Sequence, residues 1–157
     1  MDKFTSIITL YERERYKFEI FLNGVYDYFR LNPNLNEGAL PLVHSLKSRL
    51  KDPQHLKDKL QRKDSEDDPI TLDNFFDRVT DLAGIRILHL YQKQFIDIHN
   101  AIISKVSDGD WVLFESPCAY TWDPEAEGFY RELGINCMIK ESYYTSVHYV
   151  IMPKENS

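Results

Sequence analysis

The chain has 157 residues, of which 43% are hydrophobic and 28% charged, and its formal net charge is −6. This length and composition predict one globular domain with a substantial core. They exclude a membrane span, since no run approaches the roughly 18 apolar residues that a bilayer requires. The acidic balance also disfavours a general nucleic-acid-binding protein.

The amino terminus and the cysteines indicate the cellular compartment of the protein. No long apolar stretch with a small-residue cleavage site opens the chain, so we expect no signal peptide. Cys118 and Cys137 have neither a CxxC spacing nor a His pair nearby, which favours two reduced structural thiols over a metal or disulfide role. We therefore expect a cytoplasmic protein with no membrane partner.

The charges are unevenly distributed along the chain. Residues 44–63 hold seven Lys and Arg against two Asp, whereas the remaining residues carry a net charge of −11. A concentrated basic segment in an acidic protein favours a localised anion site, such as a polyphosphate pocket. A solvated helix face would give the same pattern, and charge alone does not separate the two interpretations.

The first predicted element is a long amphipathic helix over residues 6–30, in which apolar side chains recur at helical spacing. Thr5 or Ser6 is its expected cap. A stretch with Asn, Pro and Gly at residues 32–38 then breaks the chain. Residues 42–51 alternate as in a strand, with leucines on one face. The opposite face carries cations: Lys47, Arg49 and Lys51.

A helix is predicted to follow this strand and to end near residue 63. Asp52 is a suitable N-cap, and Pro53 suits the first helical position. His55 and Lys59 lie one turn apart on one side of this helix. If the strand and the helix fold against each other, their cationic groups converge.

The rest of the chain alternates helices and strands. Thr71 is expected to cap a short helix that ends near Gly84. The further predicted elements are a strand at 85–90, a helix at 94–107, a strand at 111–115, a loop at 116–124, a helix at 125–133 capped by Gly134, and strands at 135–140 and 146–152. This order predicts an α/β (α+β) fold with a mixed β-sheet flanked by helices.

Asp81 and Arg86 bracket the start of the predicted strand at 85–90. A carboxylate at a strand end is placed to coordinate Mg²⁺, and an ordinary turn aspartate is the alternative. Arginine is rare at the start of an apolar strand unless it is paired or stacked. Arg86 is therefore either a ligand contact or the partner of Asp81 in a structural ion pair.

A second cluster lies in KESYYTSVHYVI, residues 140–151. An exposed tyrosine before a strand can stack on a nucleobase, and a nearby lysine or histidine can hold phosphate. A tyrosine-rich hairpin with aromatic core packing is the alternative. The sequence contains no GxxxxGK[ST], GxSxG or HExxH, which excludes P-loop, α/β-hydrolase and zincin sites. The candidate residues in this cluster are Lys140, Tyr144, Ser146 and His148.

Four motifs follow one another in the chain: RLK at 49–51, a helix with Lys59, DLAGIR at 81–86 and KESYYTSVH at 140–148. In this order they resemble the synthetase domain of the RelA/SpoT family of nucleotide pyrophosphokinases. The resemblance implies a nucleotidyltransferase-like synthetase fold. It also implies transfer of the β,γ-pyrophosphate of ATP to the 3′-hydroxyl of GDP or GTP, with Mg²⁺, to make (p)ppGpp.

The resemblance also assigns roles by position. It implies that Arg49 and Arg86 sandwich the adenine of ATP and that Asp81 is the catalytic metal ligand. The positions implied to bind the ATP phosphates are Lys51 and Lys59, and His55 is a further implied ATP-binding position. The positions implied to bind the acceptor nucleotide are Lys140, Tyr144, Ser146 and His148, with the tyrosine stacked on the guanine.

The sequence departs from the family pattern at several positions. His55 stands where the family has Ser, and Ser142, Tyr143 and Thr145 stand where it has Asn, Gly and Arg. The last two flank the stacking tyrosine, which leaves the acceptor open. The family's Glu-containing strand after the histidine strand has no counterpart, and Glu155 lies in different surroundings. We thus expect one synthetase domain over residues 1–157, incomplete at its C-terminal end and weak in catalysis.

Two other functions stay open from the sequence. One is the toxin branch of the family, which pyrophosphorylates the tRNA 3′ end and which the acidic charge disfavours. The other is a nucleotide-binding module without catalysis. The expected partners are ATP and GDP or GTP, and the sequence leaves a homo-oligomer open.

Overall fold

The structure is a computed structural model that describes residues 2–38, 41–141 and 144–154, with Val43 and His44 described by their backbone alone. The chain forms two compact units, Met1–Ile98 and His99–Ser157. In chain order its elements are α1 (Lys3–Leu31), α2 (Pro33–Asn36), a 3-10 turn (Leu42–Ser45), β1 (Leu46–Leu50), α3 (Pro53–Lys63), α4 (Phe75–Arg78), β2 (Ala83–Ile87), α5 (Gln92–Ser107), β3 (Trp111–Thr121), α6 (Ala126–Glu132), β4 (Asn136–Ile139) and β5 (Ser146–Pro153). The predicted mixed α/β fold with a long N-terminal helix is confirmed.

Helix α1 begins three residues before its predicted start. Its cap is Asp2, whose carboxylate accepts a hydrogen bond from the N–H of Phe4 at 3.2 Å. Thr5 and Ser6, the predicted caps, lie inside the helix, so that prediction is wrong. The helix packs into the core of the first unit, where each buried apolar side chain contributes roughly 1.5–3 kcal/mol. That core consists of Ile7, Tyr11, Leu56, Leu60, Ile70, Phe75, Val79 and Leu82.

Strands β1 and β2 form a two-stranded antiparallel sheet that packs against α1. The predicted strand at 42–51 is wrong in its first four residues, which form the 3-10 turn. The predicted strand at 85–90 begins earlier, at Ala83, and ends at Ile87. It ends there because β1, its partner, is only five residues long and pairs with no residue beyond Ile87.

Helix α3 begins and ends where the sequence predicts. The carboxylate of Asp52 accepts hydrogen bonds from the N–H groups of Gln54 and His55 at 3.2 and 3.4 Å, and Pro53 occupies the first turn. Both features depend on a stretch of only four residues, so they can be predicted from the local sequence. The short helix predicted after Thr71 is a single turn, α4.

The second unit contains a three-stranded mixed sheet of order β4-β3-β5, parallel between β3 and β4 and antiparallel between β3 and β5. The predicted loop at 116–124 is wrong, because β3 continues to Thr121. Pro117 is tolerated within the strand because the β3–β5 register shifts between Glu115 and Cys118, and a bulge needs no N–H from the proline. Gly134 has a φ of +79° and follows α6 as predicted.

The two cysteines lie on adjacent strands and both are free thiols. Cys118 pairs in register with Asn136, whereas Cys137 pairs with Ala119. Because neighbouring positions along a strand face opposite sides, the two sulfurs are on opposite faces of the sheet. The prediction of two unlinked thiols agrees with this arrangement.

None of the helices in the described segments is both long and apolar enough to cross a bilayer.

Candidate functional site

The first unit gathers two lysines around one carboxylate. Asp81 lies between α4 and β2, and its Oδ2 accepts a hydrogen bond from Lys51 Nζ at 2.9 Å. Lys59, from the middle of α3, places its Nζ 2.7 Å from Oδ1 of the same carboxylate. Three separate segments therefore converge on one point, as the charge pattern predicts.

The backbone of Lys51 is held from two sides. Its N–H donates to the carbonyl of Leu82 at 2.7 Å, and its carbonyl accepts from the hydroxyl of Tyr11 at 2.6 Å. Tyr11 is fully buried on α1. The N-terminal helix thus fixes the start of the lysine side chain, which is only 11% exposed.

The two ammonium groups determine the ionisation of Asp81. Burial by itself raises the pKa of this carboxyl, but the hydrogen bonds and charges of Lys59 and Lys51 outweigh it and lower the pKa to about 2. Asp81 is therefore a carboxylate at every physiological pH. Its side chain is 41% exposed, so solvent and a ligand can still reach it.

We expect the Asp81 cluster to stabilise the fold in a pH-dependent way. Because the pKa of Asp81 falls from 3.8 to about 2 on folding, its contribution is complete above pH 4 and is lost as the pH drops towards 2, with roughly half gone by pH 3. After discounting for solvent screening it is worth about 1 kcal/mol. Urea unfolding of wild type and Asp81→Asn should differ by this amount at pH 7 and converge near pH 2. A gap that stays constant between pH 5 and pH 3 would contradict the ion-pair assignment.

A cavity of about 440 Å³ opens beside this cluster, between the end of β1 and one side of α3. Lys51 lines it, whereas Lys59, Asp81 and Arg86 are not among its lining residues. The first-turn N–H groups of α3 already donate to the carboxylate of Asp52. The charge of an anion in the cavity must therefore be neutralised by side chains. The lining residues are Arg49, Leu50, Lys51, Asp52, His55, Asp58 and Arg62.

Arg62 is a cationic residue of this cavity that was not predicted from the sequence. It lies seven residues after His55 on α3, so the two share a helix face two turns apart. Extending the His55–Lys59 face by one further turn would have identified it. The basic segment at 44–63 is therefore more than a solvated helix face, because three of its Lys and Arg side chains meet at one cavity together with His55.

One face of the β1–β2 sheet is cationic. Arg49 is paired in register with Gly84, and Lys47 with Arg86, so these positions share a face. Arg49 and Arg86 are then diagonal neighbours, roughly 7–8 Å apart, with no side chain at Gly84 between them. Both arginines are exposed. The alternative of an Asp81–Arg86 ion pair is not borne out, since within the described segments Asp81 pairs with the two lysines and Arg86 with no acid.

The second unit has a cavity of about 230 Å³. Ser146 and His148 both lie on β5 and face the same side, with Ser146 Oγ 3.2 Å from His148 Nε2. Tyr144, just before the strand, is 69% exposed and stands at the cavity without a core role. The cavity collects all four residues that the sequence selected in this region, together with a fifth: Tyr120, Lys140, Tyr144, Ser146 and His148.

The segment around Tyr144 is hydrogen-bonded to β3. The hydroxyl of Thr145, which stands where the family has Arg, lies 2.9 Å from the hydroxyl of the buried Thr121. Ser142 and Tyr143, two further departures from the family pattern, lie outside the described residues, as does Glu155. Thr145 therefore anchors this segment through a hydroxyl pair and brings no positive charge to the cavity.

The residues around Asp81 offer Mg²⁺ a single protein carboxylate. Oδ1 is buried and lies 2.7 Å from Lys59 Nζ, and Oδ2 accepts from Lys51, so a metal ion reaches this carboxylate only when the lysines move away. Nowhere in residues 2–38, 41–141 and 144–154 do three His, Cys, Asp or Glu side chains form a group that could hold a metal. Magnesium accepts one carboxylate when substrate phosphates complete its shell.

Comparison with known proteins agrees with this geometry. A family model described as a region found in RelA/SpoT proteins matches residues 48–157, more than two thirds of the chain. The chain belongs to the RelA/SpoT family. Members of this family are in general pyrophosphokinases. Helix α1, which supplies Tyr11, precedes the matched region. No curated protein and no solved structure shows a significant match to the chain.

Proposed function

We propose that this RelA/SpoT-family protein transfers the β,γ-pyrophosphate of ATP to the 3′-hydroxyl of GDP or GTP, producing (p)ppGpp. The observation that carries the proposal is the cluster of Lys51, Asp81 and Lys59. It lies beside a cavity that Lys51 lines together with Arg49 and His55. Pyrophosphoryl transfer needs little covalent help from a protein. It needs the reacting groups to be positioned and the phosphate charge to be neutralised.

The cationic face of the β1–β2 sheet supports an adenine site. Lys47 and Arg86 are directly opposite each other, and like charges in that position destabilise a sheet. A planar ring inserted between Arg49 and Arg86 offers each guanidinium a π face.

The two lysines supply the positive charge for the triphosphate. Both ammonium groups form ion pairs with Asp81. A triphosphate in the adjoining cavity offers them a larger negative charge, so we expect Lys51 and Lys59 to turn towards it. His55 and Arg62, on the α3 side of the same cavity, are available to the remaining phosphate oxygens.

When the lysines turn to the phosphates, Asp81 is left as a bare carboxylate. We propose that Asp81 would then hold Mg²⁺, which would help to neutralise the charge of the phosphates. The acceptor 3′-hydroxyl releases its proton to solvent water as its oxygen bonds to the β-phosphorus, the bond from that phosphorus to the α-phosphate oxygen breaks, and AMP leaves. The protein's part is to hold the triphosphate in place and to shield its charge.

The second cavity supports an acceptor site. Tyr144 presents a largely exposed ring that can stack on guanine. Lys140, Ser146 and His148 line the same cavity and can bind the acceptor's phosphates.

The assay that tests this function incubates the protein with γ-labelled ATP and Mg²⁺ and offers GDP, GTP, ATP or deacylated tRNA in turn. Label on the guanine nucleotide is the expected result. Label on tRNA alone would assign the chain to the toxin branch instead. Measurable ATP binding with no labelled acceptor would make the protein a nucleotide-binding module and overturn the proposal.

A further inference from the structure

Tyr120 lines the second cavity and has no role in the function proposed above. It lies near the end of β3, in the stretch that sequence analysis predicted to be a loop. In register it pairs with Ser146, and Cys118 pairs with His148, so all four residues face the same side of the sheet. Tyr120 is thus part of the cavity floor and is only partly exposed.

The ammonium group of Lys140 lies over the ring of Tyr120. Lys140 Nζ lies 4.2 Å from the ring centroid, well within the roughly 6 Å range of a cation–π contact. The backbone of Lys140 is fixed as well, because its N–H donates to the carbonyl of Thr121 at 2.8 Å and so extends the β3–β4 ladder past Ile139. An exposed lysine would otherwise sample many rotamers. Here both ends of the side chain are held.

The other neighbour of the Tyr120 ring is His148. The two rings meet edge to face, with centroids 5.2 Å apart and an interplanar angle of 87°. His148 is in turn 3.2 Å from the hydroxyl of Ser146. The tyrosine ring therefore contacts both a lysine ammonium over its face and a histidine ring perpendicular to it, and all three groups border one cavity.

We propose that Tyr120 is a positioning residue of the acceptor site, whose ring holds the Lys140 ammonium where the anionic part of a nucleoside diphosphate binds. The inference rests on the proposed function, since it takes the second cavity to be the acceptor site. Tyr120 acts through Lys140 by fixing the direction of its charge. The aromatic ring is what this role requires, and the tyrosine hydroxyl is dispensable.

The test is a double-mutant cycle on GDP binding, measured by calorimetry in the absence of ATP. Lys140→Met should weaken binding about tenfold, and Tyr120→Leu about threefold, as expected from the loss of an exposed cation–π contact. Tyr120→Phe should bind like the wild type. The double variant Tyr120→Leu/Lys140→Met should bind no more weakly than Lys140→Met alone, because the ring has no charge left to hold.

A matched control uses a second lysine–tyrosine pair outside the cavity. Lys17 Nζ lies 6.0 Å from the ring of Tyr16 on α1, and Tyr16→Leu should leave GDP affinity unchanged. Independent, multiplicative losses in the double variant would overturn the proposal, as would a Tyr120→Phe protein that binds as weakly as Tyr120→Leu.

A ligand-free measurement separates this inference from the proposed function. In the free protein, the ring current of Tyr120 should shift the ε-methylene protons of Lys140 upfield, and the shift should persist in Tyr120→Phe and vanish in Tyr120→Leu. A wild-type protein that shows the shift but binds no GDP would overturn the acceptor assignment. A wild-type protein without the shift would overturn the contact itself, whatever GDP does.

Discussion

Replacing Asp81 by asparagine is expected to lower the rate of pyrophosphate transfer by about a hundredfold or more, the usual cost of removing a group that stabilises transition-state charge. The substitution keeps the size of the side chain and removes the charge that holds Lys51 and Lys59 and, in our proposal, the metal. Binding of ATP without Mg²⁺ should be unchanged or tighter, because both lysines are then free to contact the phosphates. The effect should therefore fall on kcat with Mg²⁺ present and leave the KM for ATP nearly unchanged.

Asp77→Asn is the matched control for this variant. Asp77 is an exposed aspartate on α4, close in sequence to Asp81 but outside both cavities. It should transfer pyrophosphate at the wild-type rate. An Asp81→Asn protein with wild-type turnover would contradict the role given to Asp81, and weaker binding of metal-free ATP would contradict the release of the two lysines.

The second large effect is expected at Arg86. Arg86→Lys keeps the positive charge but removes the planar group that stacks on a base. Stacking on one base is worth about 1–3 kcal/mol, so we expect ATP affinity to fall about 5- to 150-fold. Arg49→Lys should give a similar loss. The double variant should lose less than the product of the two, because the arginines act on opposite faces of one ring.

The control for a generic Arg-to-Lys effect is Arg13→Lys, an exposed position on α1 whose partner is the adjacent Glu14. Its ATP affinity, measured by calorimetry with Mg²⁺, should match the wild type. If Arg86→Lys also binds ATP normally, charge alone is sufficient at this position and adenine does not stack there.

Features encoded over a few residues could be predicted from the sequence. Helix α3 is the clearest case, because its aspartate cap, its proline and its lysine spacing all lie between residues 52 and 63. The charge pattern favoured convergence of that helix with β1 only on the condition that the two elements fold against each other. The four residues that the sequence selected at the second cavity could be grouped because they lie within nine positions of one another in the sequence.

Features that depend on pairing between distant segments could not be predicted. The length of β3 depends on a register shift against β5 that accommodates Pro117, and locally that proline indicates a loop. Tyr120 was missed for the same reason, because its role depends on strand pairing that brings it beside Ser146 and Lys140. The lysine partners of Asp81 come from 30 and 22 residues away in sequence, and the adjacent Arg86 was the nearer candidate.

The most direct test of the donor site is a crystal structure of the protein with Mg²⁺ and the non-hydrolysable α,β-methylene analogue of ATP. The account predicts adenine between the guanidinium groups of Arg49 and Arg86, phosphates within hydrogen-bond distance of the Lys51 and Lys59 ammonium groups, and Asp81 turned to the metal. A nucleotide bound elsewhere, or one bound here while both lysines stay on Asp81, would contradict it.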